Sequence, residues 1–181
     1  DLTLEGNPAG KATLHASTSS GRDLSVTVDA QVAGASVTGK SVWRLEGGYP
    51  GKGELQFTNL ALSALRPWWR PEANGRELPF EARAQGGLTF SGALMDVGSW
   101  KGRAEVSTME ILPSVRSTGV DVFALRNDGP VVFSLEGGTL RIERARFTGT
   151  NTDLEATGSV LLPSKNNTLQ LRFRGSVNLA I

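Results

Sequence analysis

Apolar residues recur at every second position in the longest patterned stretches of this chain. Leu24, Val26, Val28, Ala30 and Val32 alternate with mostly polar neighbours, and so do Leu169, Leu171, Phe173, Gly175, Val177, Leu179 and Ile181. A period of two sends successive side chains to opposite faces of an extended backbone, whereas a helix repeats every 3.6 residues. The pattern is that of an all-β chain whose strands have one dry and one wet face. The second stretch is longer than the usual strand of about 5–6 residues, so Gly175 is expected to mark a bend or bulge.

Glycine precedes alternating apolar pairs repeatedly: Gly10-x-Ala12-x-Leu14, Gly53-x-Leu55-x-Phe57, Gly102-x-Ala104-x-Val106, Gly138-x-Leu140-x-Ile142, Gly158-x-Val160-x-Leu162 and Gly175-x-Val177-x-Leu179. The spacing of the last three fits one hairpin per repeat, as in a meandering antiparallel sheet, although glycine also simply punctuates turns. Turn chemistry marks Asn7 to Gly10, Ser20 to Asp23, Gly47 to Gly51, Asn127 to Pro130 and Pro163 to Asn167. Strands are expected near 1–6, 11–17, 23–32, 37–46, 53–61, 79–85, 88–94, 101–108, 120–125, 131–136, 139–148, 153–162 and 168–181. At most one short helix is expected, around Leu60, Leu62 and Leu65, stopped by Pro67. The fold class is long antiparallel meandering strands forming either a curved, trough-like sheet (a β-taco) or an open two-sheet sandwich.

Lys and Arg total 19 against 18 for Asp and Glu. That balance leaves no electrostatic footprint for nucleic acid. The absence of cysteine excludes disulfides, thiolate metal sites and cysteine nucleophiles. No stretch approaches the roughly 18 apolar residues of a membrane helix. Residues 1–181 read as a single β-rich segment, and the alternation still running at Ile181 suggests a longer parent truncated at both ends.

Gly34-Ala35-Ser36-Val37-Thr38-Gly39-Lys40-Ser41 matches the phosphate-cradling loop in its letters. That chemistry needs a helix N-terminus after a buried strand. Here the flanks, Asp23 to Val32 and Val42 to Gly48, both read as strand and turn, so no nucleotide is expected. His15 is the single histidine, which excludes a histidine-pair metal site. Glu46, Glu54, Glu81, Glu105, Glu143 and Glu155 fall on polar strand positions or strand ends, where pairing with residues such as Arg141 and Arg172 is the simpler role than catalysis. No catalytic residue, cofactor or metal ligand is identified, and an enzyme is not expected. Trp68 and Trp69, between Pro67 and Pro71, could plug a core, contact a protein or membrane interface, or stack on a sugar. Asn166-Asn167-Thr168 reads as a polar turn.

Asn127 to Ile142, then Phe147 to Thr150, Leu154 to Val160 and Leu169 to Leu179, in that order, resemble the repeating β segments of TamB-like proteins, the translocation and assembly module family within the AsmA-like superfamily. Gly53 to Leu62 resembles an earlier repeat. The resemblance implies a protein in the periplasm of a two-membrane bacterium, with an inner-membrane anchor outside this segment. It implies phospholipid transport between membranes, or outer-membrane protein assembly and secretion, with phospholipid acyl chains and a TamA-type outer-membrane barrel as partners. An apolar groove would then be lined by Leu140, Ile142, Leu154, Val160, Leu169, Leu171, Phe173, Val177 and Leu179. The other reading is a β-sandwich module binding carbohydrate or protein through Trp68 and Trp69.

Overall fold

A computed structural model describes residues 2–4, 7–18, 21–32, 34–61, 63, 80–113, 124–161 and 169–177. Its strands are β1 (Leu2–Leu4), β2 (Asn7–Thr18), β3 (Asp23–Val32), β4 (Ala35–Arg44), β5 (Pro50–Ala61), β6 (Phe80–Ala93), β7 (Asp96–Pro113), β8 (Leu125–Asn127), β9 (Val131–Glu136), β10 (Thr139–Arg144), β11 (Arg146–Gly149), β12 (Thr152–Leu161) and β13 (Leu169–Val177). All thirteen are hydrogen-bonded into a single antiparallel, trough-like sheet. The described residues contain no α-helix. Leu60 and Ala61 close β5, Ser63 is in 3₁₀ conformation, and the rest of the expected helix lies outside the described residues.

The topology is simpler than thirteen strands suggest. β8 and β9 both run antiparallel to β7, Glu110 facing Arg126 and Val106 facing Val131. They form one course with a bend in it. β10 and β11 likewise both pair with β12, Thr139 facing Leu161 and Arg146 facing Glu155. The chain is therefore one up-and-down meander in which each course pairs with those before and after it.

Three local expectations are corrected. Asn7 to Gly10 belongs to β2, with Asn7 already facing Leu4. The expected strands 79–85 and 88–94 are one strand, β6, whose register shifts at Gln85/Gly86 without a break. Asn127 to Pro130 is a bend within a course and not a reversal, because the Asn127 side chain supplies the missing ladder bonds. Its Oδ1 accepts from Met109 N at 2.6 Å, and its Nδ2 donates to Ser107 O at 3.0 Å. A turn-forming side chain that satisfies the neighbouring strand removes the need to leave the sheet.

Register fixes which residues share a face. Leu14, Val28, Gly39, Leu55, Leu88, Ala104, Phe133, Ile142 and Gly158 form one lateral row from β2 to β12. The adjacent row on the opposite face is His15, Thr27, Lys40, Glu54, Thr89, Arg103, Ser134, Arg141 and Ser159. One face of the sheet is thus apolar and the other polar and charged. The packed core lies on the apolar face where the later courses meet. Val106, Val131, Ala145, Phe147 and Ala156 are buried there, flanked by Phe57, Met109, Ile111, Phe133 and Leu154.

Candidate functional site

Four residues expected to line a groove, Leu140, Ile142, Leu154 and Val160, share the apolar face and are each half-buried. Backbone register sets Leu169 opposite Val160, Leu171 opposite Gly158, Phe173 opposite Ala156 and Val177 opposite Thr152. Leu179 lies outside the described residues, as do Trp68 and Trp69. Every described strand belongs to this one sheet, so among the described residues no second sheet is laid across the apolar face. Leu55, Leu88, Leu135, Leu140 and Val160 accordingly stay partly exposed.

Away from the packed core, the same face carries an aromatic cluster that the sequence reading missed. Trp43, Phe90 and Trp100 come together from β4, β6 and β7, with ring centroids 5.7 to 6.2 Å apart. Trp43 Nε1 donates to Ser41 Oγ at 2.9 Å and Trp100 Nε1 to the Ala93 carbonyl at 2.9 Å, so both indoles are satisfied without water. Glycine seats each ring. A Cβ on Gly51 would overlap Trp43, one on Gly53 would overlap Phe90, and one on Gly92 would overlap Trp100. With no Cβ at the facing glycine, each ring can fold down over the neighbouring strand and lie along the sheet. Only part of the signal was present in the glycine repeats: Gly53 opens one of them, whereas Gly51 reads as the end of a turn and Gly92 falls outside the pattern. Gly53, Gly102, Gly158 and Gly175 lie inside strands, and of the six repeat glycines only Gly138 lies in a turn.

The polar face holds a cavity of about 970 Å³ crossing β3 to β10, its lining including Thr27, Lys40, Lys52, Glu54, Arg103 and Arg141. A twisted sheet is saddle-shaped, so this face is hollow along one diagonal even though its side chains are solvated. Opposite charges meet across the strands: Lys40 with Glu54 at 3.0 Å, Lys101 with Glu136 at 2.9 Å, Arg103 with Glu143 at 3.0 Å and Arg146 with Asp153 at 2.6 Å. Cross-strand pairing is the role expected of the carboxylates, although Glu143 takes Arg103 and not Arg141. No group of metal-ligating side chains occurs among the described residues, and His15 is exposed on β2. The run Gly34 to Ser41 is a turn followed by β4, so it offers no helix N-terminus to a phosphate.

These pairs set an acid sensitivity. A hydrogen bond from Lys101 holds Glu136 below its ordinary 4.5, one from Ser134 does so for Glu143, and one from Arg146 lowers Asp153. A carboxylate depressed in the folded state contributes stability above its unfolded value and loses it as pH falls through the folded one. The urea midpoint should therefore fall as pH drops below about 4.5. D153N should show a weaker fall, and salt should flatten both curves because the pairs are exposed. Identical acid profiles for D153N and the parent chain would show that the Arg146 pair contributes nothing.

Comparison with protein-family models, curated proteins and solved structures finds no match to this chain.

Proposed function

We propose that this chain is a lipid-carrying segment of a TamB-like envelope protein, its apolar face holding phospholipid acyl chains while headgroups stay in water. One observation carries the reading: an apolar row runs unbroken across the sheet from Leu14 to Ile142, with no second sheet over it among the described residues. The resemblance of residues 127–179 and 53–62 to TamB-like repeats supports the same assignment. With it come a periplasmic location, a TamA-type barrel partner and a part in outer-membrane biogenesis.

The energetics suit a carrier. Burying a methylene from water yields about 0.8 kcal/mol, but a chain moving from a bilayer onto an apolar sheet exchanges one apolar environment for another. The net change is small. A face that only matches the bilayer interior can load and unload without a catalytic group.

Photocrosslinking in bacterial cells tests the reading. Benzoylphenylalanine at Leu55 or Leu140 should yield phospholipid adducts by mass spectrometry. The same group at Thr89 or Ser159, on the opposite face, should yield none. Equal labelling of the two faces, or no lipid adduct on either, overturns it.

A further inference from the structure

Among the described residues seven large apolar side chains are exposed, and five of them, Leu45, Tyr49, Leu94, Met95 and Leu161, sit at one end of the strands, in or beside the hairpin connections; the other two are Val42 in β4 and Leu14 in the middle of β2. Met95 is 77% and Leu94 52% exposed. These connections are laced together laterally. Leu45 N donates to Arg22 O at 2.6 Å, Leu94 N to Tyr49 O at 3.2 Å and Met95 N to Gly48 O at 3.4 Å. Three successive hairpins thereby form one rim. Trp43 and Trp100 stand just inside it on the apolar face, so the rim and the proposed acyl surface are continuous.

We propose that this rim is where the sheet rests on a lipid bilayer, and that acyl chains pass over it between the membrane and the apolar face. The proposal builds on the lipid-carrying reading and adds the membrane-contacting end. Leucine and methionine at the tips, with tyrosine and tryptophan behind them, is the side-chain order that suits a membrane interface, apolar outermost and amphipathic at headgroup depth. The charges complement a zwitterionic surface. Arg22, Arg44 and Lys52 are interspersed with Asp23, Glu46 and Asp96 around the tips, Arg44 lying 4.0 Å from Glu46, so each sign finds a counterpart in a headgroup with phosphate and ammonium. Six charges that cancel give no preference for a strongly anionic surface. A row of adjacent turns also matches a plane better than a cleft.

The chain lacks cysteine, so a single label can be placed at will. M95C carrying an environment-sensitive nitrobenzoxadiazole dye should shift to the blue on addition of phosphatidylethanolamine/phosphatidylcholine vesicles, and should be quenched by a doxyl group on the acyl chain. T150C, in the turn at the opposite end, should do neither. The double variant L94E/M95E should transfer a fluorescent phospholipid from vesicles at least about tenfold more slowly while still taking up a monodisperse fluorescent fatty acid. Loss of both activities would count against the carrier reading itself. Fatty-acid uptake with no blue shift at Met95, or the same shift at both ends, overturns the rim proposal alone. So does a dimer that L94E/M95E dissociates in sedimentation, since the rim would then face a second copy of this chain.

Discussion

Replacing Phe147 by alanine is expected to cost about 3–5 kcal/mol, read as a shift of the urea midpoint. Small single domains hold only about 5–15 kcal/mol in total, so this one truncation should leave much of the chain unfolded at 37 °C. The magnitude follows from how little of the sheet is enclosed. Among the described residues the buried cluster is Val106, Val131, Ala145, Phe147 and Ala156, and Phe147 is its only aromatic. Its buried neighbours, Val106, Val131, Ala145 and Ala156, are too small to fill the space that the ring would leave. It also sits where the bend in the β8/β9 course meets the break between β10 and β11, two of the places where the ladder is irregular. Leu14→Ala removes nearly as large an apolar group from a position 67% exposed and should change stability by no more than about 0.5 kcal/mol. Equal effects of the two changes would mean that the packed cluster is not where the stability resides.

The alternation in the sequence carried the fold class because its period survives whatever the tertiary structure does. β3 and β9 begin and end where the periodicity placed them. Boundaries were lost where a side chain did the work of backbone. Asn127 has the chemistry of a turn, and nothing local indicates that its amide will bond to Ser107 and Met109 in a neighbouring strand. Gly86-Gly87 looks like a break, yet β6 runs through it because Gly86 lies too close to β7 for any side chain. The glycines themselves were noticed and their role was left undecided, since a strand glycine and a turn glycine have the same letter. The aromatic cluster stayed hidden for a related reason. Trp43, Phe90 and Trp100 are far apart in the chain, and only the β4–β5–β6–β7 register brings them to one place. The apolar face was legible residue by residue, whereas the rim depends on which hairpins end side by side.

Gly53→Val should destabilise the sheet by about 1–3 kcal/mol, against the sign that strand propensity assigns to it. Valine favours extended backbone and glycine in a strand interior weakens it, so propensity alone gives a gain of about 0.5–1 kcal/mol. Packing overrides that gain. A Cβ at Gly53 would lie 2.6 Å from Phe90 Cζ, 2.7 Å from Ser41 Cβ and 2.8 Å from the Lys40 carbonyl oxygen. The ring could swing away, but the Lys40 carbonyl belongs to the strand paired with Gly53 and can move only by straining the β4–β5 ladder. Gly98 meets only Asp96 Oδ1 at 3.3 Å, so G98A should be nearly neutral and serves as the control. Near-ultraviolet circular dichroism provides a second readout, because displacing Phe90 should disturb its contacts with Trp43 and Trp100 and weaken their signal. Lipid adducts at Leu55 should fall in parallel, since a ring lifted off the glycine row interrupts the surface over which an acyl chain would lie. If G53V instead stabilises the chain with its aromatic signal intact, the rings are not seated on the glycines, and the level apolar face required for carrying lipid is absent.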